Sequence, residues 1–168
     1  MIILKIAIVQ RDRENLAGIK SCIKKINPSL AEEIFYTNRP ASILWLAEKE
    51  DELFVVSGQI FVPEESRDNS GVRRGTQLAK IVKARCEKSF FLIYSTMPEI
   101  NEYVDGVISK EYGTINSGEH GHLVEILCHL DTFTENLKDQ DVKNVLRKTS
   151  EKFCEFKKKL NSILLGVE

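Results

Sequence analysis

The stretch Glu52–Pro63, ELFVVSGQIFVP, decides how the rest of the chain is read. Leu53 to Val56 is a short apolar run of aromatic and β-branched residues, preceded by acidic residues and broken by Ser57-Gly58-Gln59. Four such residues in a row predict a strand buried on both faces, as in the middle of a parallel sheet. Ligands of open α/β sheets sit just past the carboxyl ends of such strands. A serine, a glycine and an amide stand there in this chain.

Strands and helices alternate on either side of this run. Upstream, Ile2 to Val9 is strand-like, and residues 14–26 place Leu16, Ile19, Ile23 and Ile26 at helical spacing with lysines opposite. Asn27-Pro28 ends that helix. Ala31 to Thr37 reads as a weaker strand, and Arg39-Pro40 opens a helix over 41–50 with Ile43, Leu44, Leu46 and Ala47 on its apolar side. Downstream, residues 62–74 form a polar loop that is long for a compact α/β unit. A helix over 75–87 turns Leu78, Ile81, Val82 and Cys86 inward, Ser89 to Tyr94 is the fourth strand, and a short helix near 98–103 leads to a fifth at Gly106 to Ile108. Such alternation predicts a parallel sheet with right-handed crossovers.

From Thr114 onward the strand signal ends. Ser117 caps a predicted helix to about Lys138, with Leu123, Ile126, Leu130, Phe133 and Leu137 on one side. A second helix from about Asp139 carries Val142, Leu146, Thr149, Phe153, Phe156, Leu160, Ile163 and Val167 at alternating spacings of four and three, a coiled-coil-like seam. Such a seam needs cover, either from the preceding helix or from a second copy of the chain. We therefore divide the chain into an α/β domain, 1–113, and a C-terminal helical extension, 114–168.

Composition narrows the function classes. The chain has 168 residues, 42% hydrophobic and 29% charged, with a net charge of −1. These values suit a globular protein with a real core and give no global field toward nucleic acid or membrane. No apolar run has the length of a membrane span. MIILKIAIV lacks a preceding basic segment and a small-residue cleavage site, so it reads as a strand, and a cytoplasmic location is expected. Cys22, Cys86, Cys128 and Cys154 show no CxxC spacing and read as small buried hydrophobes. Glu119-His120-Gly121-His122, with Cys128 and His129 beyond, lacks the paired spacing of a structural zinc site, so polar residues at a helix start and a core histidine are the simpler reading. Arg73, Arg74, Lys80, Lys83 and Arg85 read as a solvated basic face.

In this order and spacing, residues 1–113 resemble the receiver domain of two-component response regulators. IAIVQRDREN resembles the family's first strand and acidic pair, and ELFVVSGQ its third strand ending in the phosphoacceptor aspartate. GTQLAKIVK, FFLIYST and YVDGVISKEY resemble its third helix, its fourth strand with a terminal hydroxyl, and its fifth strand with the family lysine. The resemblance implies a flavodoxin-like five-stranded parallel sheet of order 2-1-3-4-5 flanked by helices. With the tail it gives an α/β fold carrying a C-terminal helical hairpin or coiled coil.

The resemblance breaks at the site. The acid pair that holds Mg²⁺ in the family falls on Gln10 and Arg11, with Asp12 one step on, and the phosphoacceptor position falls on Ser57. Mg²⁺ is held through carboxylates and waters, which an amide, a guanidinium and a hydroxyl do not replace. Ser95 and Lys110 keep the family's hydroxyl and lysine, but Glu111 stands where proline is usual and the aromatic switch position falls on Val107. Gln10, Arg11, Asp12, Ser57, Ser95 and Lys110 thus form a degenerate pocket, whose residues either satisfy one another or, through Lys110 and Arg11, hold a small anion or a partner's carboxylate.

The expected function is a noncatalytic pseudo-receiver in signalling, without aspartyl phosphorylation, cofactor or metal. Its α/β surface meets another protein, its tail serves helix packing or homodimerisation, and neither nucleic acid nor membrane is a partner. Two alternatives stand beside this: a phosphorylation-competent regulator using Asp12 or Ser57, and a flavodoxin-like enzyme handling a nucleotide. Against the latter, no Gly-rich phosphate loop follows the first strand.

Overall fold

Capping chemistry sets the first helix. In a computed structural model, which describes residues 4–96 and 99–109 together with His120, Leu123 and Leu127, β1 (Lys5–Val9) runs into α1 (Arg13–Ile26). The Asp12 carboxylate accepts from Glu14 N–H at 2.8 Å, with Glu14 in the first turn and Lys24 and Lys25 in the last. Both ends thus carry charges that oppose the helix dipole.

Asn27 then closes one helix and opens another. Its N–H reaches Ile23 O, while its side chain accepts from Leu30 N–H at 3.1 Å. Pro28 fills the first position of α2 (Pro28–Glu33), where no N–H is needed. The strand expected over 31–37 is therefore shorter, β2 (Phe35–Thr37), because these caps hold Ala31–Glu33 in a helix. Ile26 also departs from its expected buried stripe: it is 64% exposed, at the last position of α1.

The remaining described elements follow as α3 (Pro40–Lys49), β3 (Glu52–Ser57), α4 (Pro63–Ser66), α5 (Gly75–Arg85), β4 (Lys88–Ser95) and β5 (Gly106–Ser109). No helix occupies 99–103. The Asn101 side chain accepts from Tyr103 N–H at 3.0 Å and donates to Thr76 O at 3.0 Å, offering the backbone a turn in its place.

All five strands pair in parallel in the order β2-β1-β3-β4-β5, and β3 lies fully buried at the centre. The period-two alternation of strands divides the core into two layers. Ile6, Ile8, Phe54, Val56, Phe90 and Leu92 face α1 and α2, where Leu16, Ile19, Ile23 and Leu30 meet them. Ala7, Val9, Leu53, Val55, Phe91 and Ile93 face α3 and α5. Phe54 and Phe90 stack on the first side with centroids 4.9 Å apart. Leu123 and Leu127, both helical, are buried in that same layer. Residues from the segment read as an extension thus complete the core of the α/β domain. The seam residues Val142, Leu146, Phe153, Phe156, Leu160 and Ile163 lie outside the described residues.

The long loop after β3 is tied down at both ends. Phe61 N–H reaches Arg73 O at 2.9 Å and Gly75 N–H reaches Gln59 O at 2.8 Å, closing it as a short antiparallel bridge. At its tip Arg67 takes a left-handed conformation, and Asp68 accepts from Ala41 N–H at the start of α3 and from Ser70 N–H, each at 2.8 Å, as well as from the Ser70 hydroxyl. Burial alone pushes the Asp68 carboxyl up. Hydrogen bonds from Ala41 and Ser70, with Arg39 nearby, outweigh burial and hold it below the usual aspartate value.

A carboxyl depressed in the folded state stabilises above its unfolded value and loses that contribution as pH falls through the folded one. Asp68→Ala strands three donors and is expected to cost about 1–3 kcal/mol at neutral pH. In urea melts, the gap to the wild-type protein should narrow as pH falls below the ordinary aspartate value of about 3.9. A gap that persists in acid would show that the charge plays no part.

Candidate functional site

A cleft of about 630 Å³ opens at the carboxyl ends of β1, β3 and β4, where crevices of open α/β sheets lie. Gln10, Arg11, Asp12, Gly58, Gln59 and Ser95 line it. Four of the six residues expected in the pocket, Gln10, Arg11, Asp12 and Ser95, are therefore together. Lys110 lies outside the described residues.

Ser57 is the exception. It pairs with Val9 and Ile93, residues of the α3/α5 layer, so strand parity turns it beneath the cleft. It is fully buried, its hydroxyl donates to Gly58 O at 2.8 Å, and a Cβ on Gly75 would come within 3.3 Å of it. Gly58 occupies the cleft wall at that strand end, against the Gln10 amide, whose Oε1 would lie 3.3 Å from a Cβ at position 58.

The other side chains have definite partners. Gln10 is 2% exposed, and its Nε2 donates to Tyr94 O at 3.4 Å. Arg11 presents a two-pronged fork to Glu65, with Nε to Oε2 at 3.1 Å and an Nη2 to Oε1 at 2.9 Å. That fork holds the Glu65 carboxyl below the usual range. Asp12 is the α1 cap described above. Among the described residues, Gln10 and Ser57 thus bond to backbone carbonyls, Asp12 to a backbone N–H and Arg11 to Glu65.

Mg²⁺, which the resemblance implies, does not fit this arrangement. Gln10 offers an amide, Arg11 a guanidinium already occupied by a carboxylate, and Ser57 a hydroxyl turned away. Both oxygens of Glu65 are taken by Arg11, and Asp12 uses an oxygen on Glu14 N–H. No group of three His, Cys, Asp or Glu residues among the described residues is placed to hold a metal ion.

The sequence reading missed a second clasp beside the cleft. Gln59 Nε2 donates to Glu99 at 3.3 Å, Glu99 N–H donates to Gln59 Oε1 at 3.1 Å, and Arg74 completes it with a 3.1 Å bond to the same carboxylate. The basic face expected over 73–85 is mostly paired as well. Arg73 meets Glu64, Lys83 meets Asp105 at 2.5 Å and Arg85 meets Glu48 at 2.8 Å. The alternation of charge around the loop hinted at some pairing, but the partners lie 9 to 37 residues apart, beyond what local spacing indicates.

No family model matches the sequence, and no curated protein matches it. Solved structures do. The isolated REC domain of RcsB from Salmonella enterica serovar Typhimurium, in the presence of phosphomimetic BeF₃⁻, superposes with a TM-score of 0.52 over 77% of this chain and 89% of that one, at 12% identity. RcsB from the same organism bound to promoter rprA gives a TM-score of 0.49 over 98% of this chain and 92% of that one, at 13% identity. The first of these, with the strand order, shows the receiver-domain fold.

Proposed function

Starting from a receiver fold whose acidic positions carry an amide and a paired guanidinium, we propose a noncatalytic pseudo-receiver that acts in signalling by protein–protein contact, without aspartyl phosphorylation. The observation that carries this reading is the burial of Ser57 beneath Gly58, with its hydroxyl committed to Gly58 O. A phosphoacceptor must present its oxygen to a donor in the cleft, and an alcohol needs a neighbouring base. Ser57 has neither the exposure nor, among the described residues, a base within hydrogen-bond reach.

The Arg11–Glu65 fork supports the same reading against an anion site, because the guanidinium already holds a carboxylate. The net charge of −1 supports a reading without nucleic acid, since nucleic-acid binders carry a basic balance. We assign the α/β surface of residues 1–113 to a protein partner, and the seam from Val142 to Ile163 in the extension 114–168 to helix packing or homodimerisation.

Incubation of the full chain with acetyl phosphate and Mg²⁺ tests this by intact mass. The expected result is an unmodified mass under conditions that label a competent receiver domain run in parallel. A stoichiometric phosphoryl adduct, mapped to Asp12 or Ser57, would overturn the proposal and establish an unconventional acceptor.

A further inference from the structure

Three amides at the cleft keep hydrogen-bonding capacity that no described residue uses. Gln10 is nearly fully buried, with its Nε2 on Tyr94 O. Its Oε1 lies on the Gly58 side, 3.3 Å from where a Cβ at that glycine would stand. Asn15 in the first turn of α1 and Asn38 just past β2 are half-buried and line the same cleft, and their side chains bond to no other described residue.

The rest of the lining disfavours a charged or an apolar ligand. Among its described residues two guanidiniums, Arg11 and Arg13, stand with two carboxylates, Asp12 and Glu65, and Arg11 and Glu65 are joined in the fork. The Tyr94 ring is buried in the α1/α2 layer, so a flat ring has no aromatic face to rest on. Ile60 is the one large apolar side chain of the described lining.

We propose that this cleft binds an uncharged, polyhydroxylated small molecule, a sugar or polyol. A primary amide carries its acceptor and donors side by side, and a hydroxyl both donates and accepts. Neighbouring hydroxyls therefore suit both ends of Asn15 or Asn38, one donating to the carbonyl oxygen and the next accepting from the NH₂. Another donates to Gln10 Oε1 over Gly58, where the missing Cβ leaves it room.

Size and place agree with this. The cleft of about 630 Å³ falls within the ~300–1,000 Å³ usual for small-molecule sites. It lies where the adjacent strands β1 and β3 send their connections to opposite faces of the sheet, toward α1 and α5, which is the switch point at which such sheets hold ligands. The proposal stands apart from the pseudo-receiver reading, because binding a neutral molecule neither requires nor excludes phosphoryl transfer.

Titration of the isotope-labelled full chain with glucose, sucrose and myo-inositol, followed by nuclear magnetic resonance, tests the site. With at least one of them, saturable one-site shifts are expected at the side-chain amides of Gln10, Asn15 and Asn38 and at the Gly58 N–H. Signals of Leu53 and Phe54, inside β3, should hold. Asn38→Ala removes an amide that supports no other described group, so the fold should persist while the dissociation constant rises about three- to tenfold. Gly58→Ala sets a methyl against Gln10 Oε1 and should abolish the shifts with all three amides still present. Inorganic phosphate and glycine, one charged and one zwitterionic, should leave these signals in place. No saturable shift with any of the three polyols, binding unchanged in either variant, or saturation of these amides by phosphate or glycine would each overturn the proposal.

Discussion

Gly75→Ala should destabilise this protein by roughly 3 kcal/mol, even though alanine is the better helix former. In an exposed helix interior the same change would stabilise by about 1 kcal/mol. Here an added Cβ would lie 2.4 Å from Gly58 O, well inside contact distance. The obstacle is backbone, so no side chain can swing aside. Gly58 is itself held by its N–H to Val9 O at 2.8 Å, and Gly75 N–H is fixed on Gln59 O at 2.8 Å. Relief therefore requires α5 to move off the end of β3, opening the layer around Leu78 and Val82. A domain's whole stability is about 5–15 kcal/mol, so the loss should be plain in urea denaturation. A variant as stable as the wild type would mean that α5 and the β3 end do not meet as described.

Ser57→Asp restores the residue type that the receiver resemblance expects, and it should harm the protein without activating it. The cost should be about 3–5 kcal/mol at neutral pH, the usual penalty of an uncompensated buried charge. A carboxylate there meets Gly58 O, an acceptor, where the serine hydroxyl donated. Arg11 is engaged by Glu65, above in the cleft. An acid in such a site titrates above its ordinary value, so its cost is present at neutral pH and shrinks as pH falls through the raised value. Urea melts at pH ~7 and ~4, on either side of the range expected for a raised aspartate, should show the variant recovering relative to wild type in acid. Acetyl phosphate with Mg²⁺ should leave its mass unchanged. A stable S57D protein that takes up a phosphoryl group would show that Ser57 stands at a working acceptor position.

The sheet was legible because its signals are local. ELFVVS, KIAIV and SFFLIY are apolar runs of strand length, and ENLAGIKSCIKKI carries the helical spacing of α1. Capping misled at one point. Asn27-Pro28 reads equally as the end of one helix and the start of another, and Asn27 does both, which shortened β2. At 101–103 a single asparagine side chain replaced a predicted helix with a turn.

The pocket was legible in composition and not in arrangement. That Gln10, Arg11 and Ser57 stand at strand ends follows from the chain order, and so does the shortage of carboxylate at those positions. Which of them reach the cleft does not. Ser57 is withdrawn by the parity of a strand paired on both sides, which depends on register with Val9 and Ile93. Arg11 is occupied by Glu65, 54 residues away, and Gln59 is clasped by Glu99, 40 residues away. The closing of the loop after β3 brings Glu65 within reach, and the packing of the β4–β5 connection brings Glu99.

The sequence by itself therefore determined the alternation of strands and helices, which is written in runs of neighbouring residues, while the strand order was what the receiver resemblance implied. Only the tertiary structure decided that Gly75 must lack a side chain, that Ser57 faces inward and that the core histidine is His120, meeting the Tyr94 hydroxyl. Those are facts about atoms meeting from distant parts of the chain. They depend on how the layers settle on one another, and no local pattern encodes that distance.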